Sequence, residues 1–153
     1  MVGAAVFGYG YFMRALLIAP LMALFVSAQA AESVSVDFRC MATSGSKPIR
    51  LEWRLFSEGK SNWSASYVKY KGAKQPISLV LHTTSASETA PGRPMEFESV
   101  WLEVVDGQIA GEYRITTQGA NVYGFDYKNR RTGKEIAFAQ DNAAYTETGC
   151  KWN

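Results

Sequence analysis

Between residues 95 and 140 the chain repeats one pattern four times. A run of alternating aromatic, β-branched and polar residues ends in a short cluster of turn formers, and the next run begins. The runs are MEFESVWLEVV, IAGEYRITT, VYGFDYKN and EIAFAQ, separated by clusters at residues 106–108, 118–121 and 130–134. Side chains of a strand point alternately to its two faces, so such runs suit a sheet and not a helix. Asp106-Gly107 is the strongest hairpin signal, because the tight turn needs positive φ and Gly supplies it without steric cost. The stretch reads as a β-meander, and it constrains what the rest of the chain can be.

The residues before it extend the pattern. Residues 33–40 alternate, with Val34, Val36 and Phe38 on one face. After a small polar turn, Pro48 opens a run in which Ile49, Leu51, Trp53 and Leu55 point one way and Arg50, Glu52 and Arg54 the other. One face should be buried and the other should meet water. Residues 63–70 form a third strand, with Trp63, Ala65 and Tyr67 opposite Ser64, Ser66 and Val68; Trp53, Trp63, Leu51 and Ile77 are expected inside. Pro76 opens a fourth, residues 77–82, since proline in the first position removes no ladder donor. Residues 83–94 contain two prolines, a glycine and small polar side chains, and read as the longest irregular stretch.

Within the meander, strand six should bury Ile109, Tyr113 and Ile115 and show Glu112 and Arg114. Gly111 in its middle predicts a bend or bulge. In strand seven Tyr123, Phe125 and Tyr127 share the expected core face. A short helix fits at residues 85–90 or 142–146. Eight strands joined mainly by short loops indicate an antiparallel all-β domain. An up-and-down barrel is favoured because closure leaves no sheet edge exposed, with a β-sandwich as the alternative.

Residues 1–30 stand apart. From Met13 the chain reads MRALLIAPLMALFVSAQA: one basic residue, an apolar run from Ala15 to Val26, then Ser27-Ala28-Gln29-Ala30. This is the pattern of a secretory signal peptide, with cleavage expected after Ala30. The apolar run of about 12 residues falls short of the roughly 20 that span a bilayer as a helix, so no permanent anchor is expected. The first twelve residues carry no charge, which makes Met13 a cleaner start than Met1. A mature domain of residues 31–153, about 120 residues, fits one domain in the periplasm or outside the cell. Loss of Arg14 lowers the formal net charge from +2 to about +1, a balance that asks for no nucleic acid or anionic membrane. A monomer is expected.

Cys40 and Cys150 lie near the two ends of that domain. In an exported chain they read as a disulfide, which closes a loop of roughly 110 residues and stabilises by about 4–5 kcal/mol in the chain-entropy model. Their spacing, with a single histidine, fits no zinc pattern, so neither metal nor cofactor is assigned.

The catalytic inventory is thin. His82, the only histidine, ends the expected fourth strand without a nucleophile motif. Glu96, Glu98 and Glu103 fall on one strand and Glu112 on the next, with Glu103 expected near Ala110 and Glu112 opposite Trp101. Paired carboxylates can hydrolyse glycosidic bonds where a cleft sets their separation, but solvated strand charges are the plainer reading, and no catalytic residue is assigned. Asn62-Trp63-Ser64 matches the N-glycosylation pattern in a turn.

A first strand ending Phe38-Arg39-Cys40, a distal Cys150 and an eight-strand barrel-like core behind a signal resemble the layout of bacterial periplasmic inhibitors of C-type lysozyme. The resemblance covers the general layout and the Cys40 region, and it implies lysozyme inhibition as one alternative. That family's inhibitory loop carries a Ser-Gly-x-x-Tyr-type motif, whereas here Ser44-Gly45 is followed by Ser46-Lys47-Pro48 without a tyrosine.

The sequence therefore supports a non-enzymatic protein-binding module, an inhibitor or immunity-type protein acting on an envelope or extracellular partner. The irregular stretch at residues 83–94 would reach that partner, with Glu88 and Arg93 as its charged contacts. A carrier of a small molecule or lipid inside the barrel is the alternative.

Overall fold

The computed structural model describes residues 33–152; the expected signal at residues 1–30, with its cleavage site, lies outside the described residues. Nine strands follow in chain order: β1 Ser35–Ala42, β2 Arg50–Glu58, β3 Trp63–Tyr70, β4 Ile77–Ser87, β5 Glu96–Val105, β6 Gln108–Gln118, β7 Asn121–Asn129, β8 Glu135–Ala137 and β9 Ala139–Gln140. Each of β1 to β8 pairs antiparallel with its neighbour in sequence, and β9 pairs with β1. The result is a nearly closed up-and-down barrel, and the sandwich alternative falls.

Closure comes from the expected eighth strand, which is split in two. Its first half, β8, pairs with β7. Phe138 N–H then donates to the Phe125 carbonyl at 2.8 Å. Its second half, β9, crosses to β1, with Ala139 opposite Ala42 and Gln140 opposite Met41.

Turn chemistry behaves as the residue types demand. Asp106 and Gly107 take φ of 51° and 74°. In the β2–β3 turn the Glu58 carboxylate accepts the Ser61 hydroxyl, the Ser61 N–H at 2.6 Å and the Lys60 N–H at 2.9 Å. These bonds, the Ser61 hydroxyl foremost, hold its pKa below the ordinary carboxylate value.

Which face points inward follows from register. Leu51 and Trp53 are buried as the alternation requires. Trp53 sits opposite Val68, and cross-strand partners share a face. Val68 and Ser66 therefore go inside, and Trp63, Ala65 and Tyr67 go outside. Trp63 is 43% exposed, which corrects its expected place in the barrel. Ser66 suits the interior because its hydroxyl accepts the Trp53 indole N–H at 2.7 Å and donates to the Arg54 carbonyl at 3.0 Å.

Three bulges correct other expectations. The ladders shift between Leu81 and Thr83 in β4, between Glu103 and Val104 opposite β6, and between Thr116 and Thr117 opposite β7. His82, Ala110 and Tyr123 are the extra residues. An extra residue reverses the alternation beyond it. Hence Ile109 is exposed although Tyr113 and Ile115 are buried, and Tyr123 is 64% exposed although Phe125 and Tyr127 are buried. Glu103 pairs with Gly111 and Glu112 with Leu102, each one position from the expected register.

The axis of the barrel is filled by rings. Trp53 and Phe125 meet at 5.8 Å between centroids, Tyr113 and Phe125 at 5.7 Å, Tyr113 and Tyr127 at 4.8 Å, and Phe125 and Phe138 at 5.9 Å. Each such pair adds about 0.5–1.5 kcal/mol beyond its burial.

A second, smaller core lies on the outer face of β1. Phe38, Cys40 and Ala144 are buried there, with Cys150 and Trp152 against them. The Cys40–Cys150 disulfide is formed, and Tyr145 stacks on Phe38 at 4.7 Å. Val34, Val36 and Phe38 do share a face, but it is the outer one, and beyond the tail Val34 and Val36 are exposed. The expected helix at residues 142–146 is a single 3-10 turn, Asn142–Ala144. The one expected at residues 85–90 is absent, because residues 85–87 belong to β4.

The charged face of β2 is also corrected. Glu52 and Arg54 are half-buried under the tail and do not meet open water. No helix among the described residues is long and apolar enough to cross a membrane, and the disulfide fits an oxidising compartment.

Candidate binding site

The irregular stretch expected at residues 83–94 is half strand. β4 runs on through Ser87, since β5 supplies ladder partners as far as Glu96 and the threonines and serines fit a pleated strand. Only residues 88–95 form the loop.

That extension leaves an opening in the barrel wall. β3 and β4 pair at Ser66–Leu79, Tyr67–Ser78 and Val68–Ile77, and nowhere else among the described residues. Above this point residues 63–65 pair only with β2, and residues 80–87 only with β5. One side of β4 thus presents a row of backbone N–H and C=O groups without backbone partners among the described residues. Exposed edges are normally guarded by Lys, Pro or inward charges. Residues 80–87, VLHTTSAS, carry none of these, and the bulge at His82 is the single interruption.

Apolar side chains flank the opening. Phe97 and Ser99 lie on the same face of β5 as the buried Trp101, and Phe97 is 52% and Leu81 38% exposed. Inside the barrel a hollow of about 180 Å³ is walled by Trp53, Leu55, Ser99, Trp101 and Thr117, with Asp37 and Arg39 at its side and no residue of β3 or β4 in its lining. It is smaller than the roughly 300–1,000 Å³ of ordinary ligand pockets, so it suits one inserted side chain. Arg39 pairs with Asp37 and reaches the Ala120 carbonyl in the β6–β7 turn at 3.3 Å.

Glu88 and Arg93, the expected contact residues, are both exposed in the loop at the tip of the β4–β5 hairpin. Gln118 pins this loop by donating to the Thr89 hydroxyl at 2.7 Å and the Pro94 carbonyl at 2.9 Å. The fold therefore joins Glu88 and Arg93 to a strand edge that alternation alone did not disclose. The only trace of that edge in the sequence is a run of uncharged, strand-tolerant residues following His82.

The residues considered for chemistry do not converge. His82 is exposed, and its side chain makes no hydrogen bond among the described residues. Glu112 faces outward and pairs with Arg130 at 3.1 Å. Glu103 faces inward and is 7% exposed. Carboxylates on opposite faces of a sheet cannot act on one bond, and the burial of Glu103 corrects its expected place as a solvated strand charge.

Glu103 belongs to a tyrosine cluster that fills one end of the barrel. It neighbours Tyr127, whose hydroxyl accepts from Asn129 at 3.4 Å, while the hydroxyls of Tyr70 and Tyr113 meet at 2.7 Å. Burial, then the Glu103 carboxylate, pushes the Tyr127 pKa up to about 12. Burial raises Tyr70 and Tyr113 as well. Gly111 lets the Tyr127 ring lie against the backbone, where an added Cβ would fall 2.4 Å from the ring.

Asn62 is exposed in its turn with φ of 54°, and Ser44, Gly45, Ser46 and Lys47 form an exposed bend between β1 and β2. Comparison of the chain with family models, with curated proteins and with solved structures gives no match.

Proposed function

We propose that the chain is an exported, non-enzymatic protein-binding module that takes an extended segment of its partner onto the free edge of β4. The observation behind this reading is the unguarded row of backbone groups along residues 80–87. In strand addition, main-chain hydrogen bonds supply affinity and pockets for alternate side chains supply specificity. Leu81 and Phe97 are exposed near that edge for apolar contacts, and Glu88 and Arg93 stand at the end of the same hairpin for charged ones.

The partner class is a protein of the envelope or the extracellular space, and masking a cell-wall hydrolase is the narrower form of this reading. Carriage of a small molecule within the barrel fits less well, because rings occupy the axis.

Native isolation of the oxidised protein from its host, followed by amide hydrogen exchange on the complex, tests the reading. A bound protein should slow exchange across residues 80–87 by at least tenfold. A complex in which those amides exchange as fast as in the free protein overturns it.

A further inference from the structure

A groove of about 670 Å³ runs between the outer surface of β2–β3 and the C-terminal tail. Arg54, Lys69, Lys71 and Lys151 stand around it, and Glu52 is its only carboxylate among the described residues. That carboxylate is fully engaged. One oxygen takes Arg54 at 2.8 Å and the Tyr67 hydroxyl at 3.4 Å, and the other takes the Cys150 N–H at 2.8 Å. Lys69 and Lys151 make no ion pair among the described residues.

Two further observations separate this groove from a chance cluster of lysines. Both walls are fixed. Lys69 is on a strand of the barrel, and Lys151 is held by the adjacent disulfide and by its own N–H to the Ala144 carbonyl at 2.7 Å. The backbone that carries the two cations is thus already in place, and only their side chains must order around an anion. Trp152 also forms part of the wall, and its indole N–H is buried and donates to nothing among the described residues. A buried donor without an acceptor costs about 1–3 kcal/mol, and an oxyanion in the groove brings acceptor oxygens to that wall.

We infer that the groove binds a small polyvalent oxyanion, one carrying two or more carboxylate or phosphate groups. Lys69 and Lys151 grip it from opposite walls, and Arg54 adds positive potential from the floor. The site is separate from the β4 edge, which lies on the other side of the β3–β4 junction.

Citrate and inorganic pyrophosphate are the probes. Each is titrated into the oxidised protein at constant ionic strength while backbone and indole N–H signals are followed by NMR. The expected result is saturable movement of the Trp152 indole and of the Gly149 and Lys151 amides, with the Trp53 and Trp101 indoles stationary. The double variant Lys69→Gln, Lys151→Gln should weaken binding at least tenfold while leaving the Trp53 and Trp101 signals in place. Saturation by citrate alone identifies a carboxylate ligand, and by pyrophosphate alone a phosphate ligand. Movement that does not saturate with either probe, or that persists unchanged in the double variant, overturns the inference.

Discussion

The two outer faces of the barrel carry similar residues and treat them differently. Across β6, β7 and β8, Glu112 lies beside Lys128, Arg114 beside Asp126, and Lys128 beside Glu135. Opposite charges alternate from strand to strand, with Lys128–Glu135 open to water at 3.0 Å and Arg130–Glu112, whose carboxylate is 19% exposed, at 3.1 Å. Across β2 and β3, Glu52 lies beside Lys69 and Arg54 beside Tyr67, but the tail covers part of that face. The Glu52 side chain is 13% exposed, against 68% for Glu135. Removing water strengthens each charge interaction and raises the cost of an unpaired group. An outward polar row thus acquires structural weight only where a second layer of chain lies over it.

The largest test of this contrast is to free the covering layer. Cys150→Ser should cost about 4–5 kcal/mol in urea unfolding, from the closure of a roughly 110-residue loop. A loss under about 1 kcal/mol would mean that the tail stays in place without its tether.

Next comes the covered carboxylate. Glu52→Ala leaves the Cys150 N–H without its acceptor and Arg54 with only the Thr148 carbonyl at 3.0 Å, and should cost about 2–3 kcal/mol by thermal or urea unfolding. Gly149→Ala probes the same contact through space. Its Cβ would lie 2.7 Å from a Glu52 oxygen, and about 1–2 kcal/mol of overpacking is expected. Glu135→Ala, on the open face, should cost less than about 0.5 kcal/mol. Equal effects from Glu52→Ala and Glu135→Ala would erase the distinction between the faces.

The same contrast explains what could be read before the fold was known. Alternation placed Leu51, Trp53, Tyr113, Ile115, Phe125 and Tyr127 inside, since burial on one face and water on the other leave a period of two. It failed for Ile109 and Tyr123 because a bulge adds one residue without changing composition. It failed for residues 83–87 because a strand exposed on both faces has no apolar period to show. The cations of the groove come from β3 and from the tail, which are distant in sequence, and no local pattern joins them. The expected pairing of Cys40 with Cys150 already implied that the tail lies along the first strands. What it could not convey was that Glu52 would spend both oxygens there and leave Lys69 and Lys151 without an ion pair among the described residues.

The break at Phe138 also sets an order of events during synthesis. Hairpins from β1–β2 to β7–β8 join neighbours in sequence and can zip as the chain emerges. The β9–β1 pairing and the disulfide cannot, because Gln140 and Cys150 come last and their partners, Met41 and Cys40, come first. The final step therefore carries the loop-closure entropy of nearly the whole domain, and Cys40 waits as a free thiol until then. A chain stopped before residue 135 retains β1 to β7 but leaves β1 and β7 as open edges, each a template for another molecule. For such a fragment the missing ending, more than any missing core, is what invites aggregation.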